Sequence, residues 1–253
     1  LMLLLVGCSV NPVTGERQLS LIGEGQELAM GAEQYTPTQQ TQGGQFYIDP
    51  ELTLYVREVG QKLAKVSDRP DLPYEFVVLN SSVPNAWALP GGKIAVNRGL
   101  LTKFDDEAQL ASVLGHEIVH AAARHSVQRM QQGMLISAGV AGLGFALSDN
   151  EWAGLLMGGA AVGAQLALAQ YGQGDELESD HYGIIYMKEA GYDPQAAVEL
   201  QEIFLELSKG QQAGFVDGLF ATHPPSAKRV RENSELVAEI GAGGYRGADV
   251  YKK

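Results

Sequence analysis

The chain has 253 residues, 45% of them hydrophobic, with a formal net charge of −12 and a sequence pI near 4.8. It can bury a substantial core, and its acidity argues against nucleic acid, whose phosphates it would repel. The single cysteine, Cys8, excludes an intramolecular disulfide, and the absence of any period of about 20–50 residues argues against a solenoid.

The run Leu1-Met2-Leu3-Leu4-Leu5-Val6-Gly7-Cys8 reads as the end of a signal peptide meeting a lipobox, after which Cys8 would be acylated and become the N-terminus. A basic segment is then expected upstream. Ser9 resembles the sorting position of outer-membrane lipoproteins, so a periplasmic protein anchored by lipid through Cys8, most simply to the outer membrane, is expected. The other reading of the run is a short buried strand or helix with a core cysteine. Residues 1–8 are thus set apart, and 9–253 are expected to form a single domain.

A turn-rich stretch from Asn11 leads to a helix beginning at Glu24, with Pro37 and a Thr/Gln/Gly-rich stretch to Gln45 expected as a loop. Leu52, Tyr55, Val56, Val59 and Leu63 recur at helical spacing and predict a helix over 50–65. Residues 74–79 and 93–97 read as strands, with Pro90-Gly91-Gly92 turning the chain between them.

From 105 to 132 there is no Pro, helix formers dominate, and Asp105, Asp106 and Glu107 place negative charge where a helix start favours it. His116-Glu117-Ile118-Val119-His120 falls in the middle of this predicted helix. Residues at i and i+4 lie one above the other, so His116 and His120 can offer ring nitrogens to one zinc ion, with Glu117 in reach of a zinc-bound water. His125 follows five residues after His120 and is expected to face elsewhere.

Two apolar, Gly- and Ala-rich runs follow, 134–147 and 152–169, separated by Ser148-Asp149-Asn150-Glu151. Each is shorter than the roughly 20 residues that a helical span needs. A helical hairpin over 134–171, buried or covering a cleft, is expected, with a membrane-contacting hairpin as the rival.

A catalytic zinc wants a third protein ligand. In the predicted helix over 171–190, Glu176 and Asp180 share a face, whereas Glu178 points roughly 200° away. Glu176 is the expected ligand, Asp180 the expected acceptor for the free N–H of His116, and Glu178 an exposed helix residue. An amphipathic helix is expected over 195–209, a flexible loop over 210–225 containing His223, and a last helix over 226–241.

The combination of HExxH with a downstream Glu-x-x-x-Asp helix resembles the gluzincin arrangement, and the flanking words resemble metallopeptidase family forty-eight. The matching words are Asn85-Ala86-Trp87-Ala88-Leu89-Pro90-Gly91-Gly92-Lys93-Ile94, Arg98-Gly99-Leu100-Leu101, Gly191-Tyr192-Asp193-Pro194 and Thr222-His223-Pro224-Pro225 with Arg229. The chain departs from the family at Gly172-Gln173 and Ser179, where many members carry Ser-Arg and Ala.

The resemblance implies an α+β, mainly helical, zincin-like fold with a small sheet edge beside the HExxH helix. It also implies a zinc endopeptidase using one zinc ion and acting on unfolded or misassembled envelope proteins. Asn85, Ala86, Trp87 and Ala88 would form the edge that pairs with extended substrate; a turn cap and a core anchor are the plainer reading of Asn85 and Trp87. His223 would approach the metal, either to meet the developing oxyanion or as a fourth ligand. Arg229 would position His223 or an acidic residue, or lie on the surface. The alternative functions are a membrane-anchored, chaperone-like module that holds clients at a shielded site, and a scaffold with vestigial motif residues.

Overall fold

The computed structural model describes residues 7–146, 171–209 and 213–251. Strand β1 (Gly7–Val10) pairs antiparallel with β2 (Arg17–Ser20). Helix α1 (Glu24–Thr41) and helix α2 (Pro50–Ala64) follow, the second opened by Asp49, whose side chain accepts the Leu52 N–H at 3.0 Å.

Strands β3 (Glu75–Leu79), β4 (Ala86–Leu89) and β5 (Lys93–Asn97) form a sheet in the order β3-β5-β4. β3 runs parallel to β5 with Phe76 opposite Ile94, while β4 turns back antiparallel through Gly91 and Gly92, both at positive φ, and sets Ala88 opposite Ile94. Among the described residues β4 is therefore an edge.

A short helix α3 (Arg98–Leu101) leads to α4 (Glu107–Ala122), α5 (His125–Ala146), α6 (Gln173–Glu189), α7 (Gln195–Lys209), α8 (Ala213–Thr222), α9 (Ala227–Ile240) and α10 (Ala248–Tyr251). Helix α4 is the centre of the molecule. Every one of its residues except Ser112 is buried, because α2, the sheet, α6 and α7 surround it. Its capping residue is Asp106, which accepts the Gln109 N–H at 2.9 Å. Glu107 turns inward instead, accepting from Tyr55 at 2.8 Å and Tyr192 at 2.6 Å.

Helices α4 and α6 cross at two glycines. A Cβ on Gly183 would stand 3.0 Å from the His116 backbone nitrogen, and one on Gly115 would stand 3.1 Å from the Gly183 carbonyl oxygen. This contact of small residues lets the two helices that carry the motif residues meet closely.

Four expectations need correction. Helix α1 continues through Pro37, because Tyr35 donates to the Ile94 carbonyl at 2.9 Å and the Gln39 side chain accepts from Gln45 at 2.9 Å, anchoring both sides of the proline. The helix expected over 105–132 breaks after Ala122, where Arg124 adopts φ 65°. Its guanidinium donates to buried Glu27 at 2.8 Å and to the Ile22 carbonyl at 2.7 Å, contacts that a continuous helix would not make. Most of the loop expected over 210–225 is helix α8, with His223 directly after it. Glu178 is only 21% exposed and is hydrogen-bonded to Asn11 and His125.

Of the apolar hairpin expected over 134–171, the first part continues α5 to Ala146, and 147–170 lie outside the described residues. No described helix is long and apolar enough to cross a membrane. Cys8 lies in β1 opposite Leu19, and residues 1–6 lie outside the described residues.

Candidate metal centre

Helical periodicity brings His116 and His120 onto one face of α4, and the crossing with α6 sets Glu176 opposite them. The His116 and His120 Nε2 atoms are 3.0 Å apart; Glu176 reaches them at 3.5 and 3.3 Å. The His223 Nδ1 atom, delivered from the end of α8, is 3.0 Å from Glu176 and 3.3 Å from His116. One donor atom from each of these four residues lies within 4.8 Å of all the others.

The donors fit a zinc ion. Tetrahedral ligands about 2.0–2.2 Å from a shared centre would lie roughly 3.3–3.6 Å from one another, close to the separations observed. Two imidazole nitrogens facing each other across 3.0 Å with a carboxylate beside them form a pocket suited to a divalent cation. The His223 Nε2 and Glu117 Oε2 atoms are buried without a hydrogen-bond partner, which leaves polar capacity at the same spot.

Surrounding charges tune the set. Burial opposes protonation of His116, but the Glu176 and Asp180 carboxylates prevail and raise its pKa to about 9; a proton therefore competes with a metal for this ring. Burial holds His120 well below the usual histidine range. Burial opposes ionisation of Glu176, yet His116 and His223 hold its carboxyl far below the ordinary range. Glu117 is shifted the other way, pushed up by burial and only partly offset by His223 and His116. A carboxyl so raised suits a group that takes and returns a proton.

Asp180 accepts from His116 Nδ1 at 2.9 Å. Arg229 is buried rather than on the surface. It grips Asp180 at 2.6 and 2.7 Å and stands 2.7 Å from Glu176 Oε2, so it ties both α6 carboxylates to α9.

Asn85, Trp87 and Ala88 line a cleft of about 680 Å³ that also contains Arg129, Tyr171 and His223. Ala86 is fully buried behind them. The Ser126 hydroxyl donates to the Ala88 carbonyl at 3.4 Å, so that residue's backbone groups face away from β5 and toward the cleft.

Three neighbours escape sequence reasoning. Tyr171 stacks on His120 with ring centroids 3.8 Å apart, and burial pushes its hydroxyl up. His125 Nδ1 is 2.9 Å from His120 Nδ1, and Glu178 Oε1 is 3.3 Å from His125 Nε2. Glu178 also accepts from Asn11 at 3.0 Å, and these partners keep its carboxyl low against the opposing effect of burial. The break at Arg124 is what turns His125 toward His120, and helical periodicity carried past that break gives the wrong face.

A buried HExxH helix beside a small mixed sheet, with a carboxylate supplied by a second helix, defines a zincin-like protein. The sequence profile described as Peptidase family M48 matches residues 50–237, and the chain belongs to that family. It is 35% identical over 189 residues to the mitochondrial metalloendopeptidase OMA1 of Schizosaccharomyces pombe, covering 74% of this chain and 53% of that protein. It is 29% identical over 226 residues to the beta-barrel assembly-enhancing protease of Escherichia coli K12, covering 87% and 46%. Metalloprotease YcaL of Escherichia coli K12 is 28% identical over 190 residues, covering 71% and 70%. The chain thus spans about half the length of the first two.

Proposed function

We propose that the protein is a zinc-dependent endopeptidase that hydrolyses peptide bonds in unfolded or misassembled proteins of the cell envelope. The observation that carries this reading is the buried set of four donor atoms within 4.8 Å of one another, with Glu117 on the same helix. Family membership and relatives named as proteases support the peptide substrate.

His116, His120 and Glu176 would hold one zinc ion, which when bound supplies Lewis acidity to the scissile carbonyl at neutral pH. Asp180 keeps His116 turned toward the ion. Glu117 takes a proton from the attacking water and returns it to the leaving amine. The Ala88 backbone groups on the β4 edge hold an extended peptide along the cleft, so many sequences fit. His223, whose Nδ1 lies 3.0 Å from Glu176 and whose Nε2 lies 3.5 Å from Glu117, would either donate to the developing oxyanion or serve as a further ligand. The Leu5-Val6-Gly7-Cys8 word supports lipid anchoring through Cys8 and a periplasmic location at the outer membrane.

The second reading, a client-holding module with a shielded site, draws on the burial of His223 against the donor set. Elemental analysis with casein cleavage separates the two. Zinc at one ion per chain, lost in Glu176→Ala, with cleavage abolished in Glu117→Gln, is the outcome expected here. Zinc without cleavage favours the holding module, and neither would leave a vestigial scaffold.

A further inference from the structure

We infer that His125 and Glu178 form a second positioning arm, one that holds His120 in the tautomer that ligates metal. The inference rests on the metal reading of His116, His120 and Glu176. It assigns purposes to two side chains that the peptidase mechanism leaves unused.

Glu178 is a carboxylate and can only accept. It lies 3.3 Å from His125 Nε2 and receives the Asn11 amide at 3.0 Å. His125 therefore carries a proton on Nε2, and in the neutral ring its Nδ1 holds a lone pair. That lone pair faces His120 Nδ1 at 2.9 Å, and the Ser179 hydroxyl, 3.5 Å away, can donate to it as well. His120 Nδ1 is then the donor, and its Nε2 lone pair points at His116 Nε2 and Glu176. Every proton in the chain Asn11, Glu178, His125, His120 has one consistent place.

The reverse assignment fails. With the proton on His125 Nδ1, two N–H groups would oppose each other across 2.9 Å, or His120 would carry its proton on Nε2 and present N–H to the ion. Asp180 performs the same task for His116 directly; on the His120 side an extra imidazole spans the gap to the carboxylate. The backbone makes this possible at one point: the positive φ of Arg124 ends α4 and starts α5 with His125 turned back. His125 and Glu178 are positioning residues, acting on the metal through His120.

The test is zinc affinity by competition with a chromophoric chelator, using the full chain at fixed pH, with histidine tautomers of the zinc-loaded parent read by nitrogen-15 NMR. His125→Leu and Glu178→Ala are expected to weaken zinc binding roughly 10- to 100-fold. His125→Asn, whose carbonyl can accept from His120 Nδ1, should keep most of the affinity. In the spectra His125 should carry its proton on Nε2 and His120 on Nδ1. Parent-like affinity in a folded His125→Leu, or a proton on His125 Nδ1, would overturn the inference; the NMR arm decides it even if the variants fail to fold. A parent that binds no zinc sinks the metal reading and this inference with it, whereas tight binding by both parent and His125→Leu sinks this inference alone.

Discussion

Arg229 is the residue on which the buried charges of the site depend. It is 3% exposed and faces two carboxylates, Asp180 and Glu176, on the neighbouring helix. A guanidinium can bind one carboxylate with two nitrogens and still reach a second, which a lysine cannot do in the same geometry. Removing it leaves buried negative charge uncompensated, at a cost of roughly 3–5 kcal/mol. Arg229→Leu is therefore expected to lose about that much in urea unfolding of the chelated protein, and less when zinc is present to offset the same carboxylates. Equal losses with and without zinc would contradict this electrostatic account. From sequence alone Arg229 could be a positioning residue or a surface cation; only its burial against α6 distinguishes the two.

At the scale of elements, the crossing of α4 and α6 sets how the donor atoms of His116, His120 and Glu176 meet. Gly115 and Gly183 face each other so closely that a Cβ on either would stand only 3.0–3.1 Å from the opposing backbone, so the histidine helix and the carboxylate helix approach more closely than larger residues would allow. Gly183→Val would force the helices apart near His116. Overpacking of this kind costs roughly 1–3 kcal/mol, and because α6 carries both Glu176 and Asp180, zinc affinity should fall along with the thermal midpoint. A lowered midpoint with parent-like zinc affinity would mean that the crossing does not set the ligand positions. The elements themselves are largely legible. Asp49 and Asp106 start α2 and α4, and Glu176 with Asp180 shares a helix face as the spacing requires. The break between α4 and α5 is not legible, since neither Pro nor Gly marks it. It is held by Glu27, a residue 97 positions away from Arg124, and local propensity carries no information about such a partner.

At the scale of the whole molecule, the segment after α9 straps the C-terminal helices to the start of α4. Arg246 reaches Asp106 at 2.7 Å and Asp193 at 3.4 Å, and its carbonyl accepts the Ala108 N–H at 3.1 Å. Asp193 accepts the Gly243 and Gln195 N–H groups at 2.8 and 3.1 Å. Slight burial opposes ionisation, but these backbone donors and Arg246 hold its carboxyl below the ordinary range. Its contribution is complete above the unfolded pKa of about 3.9 and is lost as pH falls through the lower folded value. Urea midpoints measured from pH 7 to pH 3 should show Asp193→Asn less stable than the parent at neutral pH, with the gap closing in acid. A gap that widens in acid would reverse the sign of this linkage.

Sequence alone determined the candidate donor set: two histidines and two carboxylates, each pair at i, i+4 spacing, with a glutamate beside the histidines. These follow from the repeat of a helix, which any reader of the chain can apply. The tertiary structure decided what surrounds that set: the inward turn of Arg229, the helix α8 that delivers His223 where a loop was expected, and the rotation of His125 onto His120. Each depends on contacts between residues far apart in the chain, whose free energy overrides local preference and leaves no periodic trace.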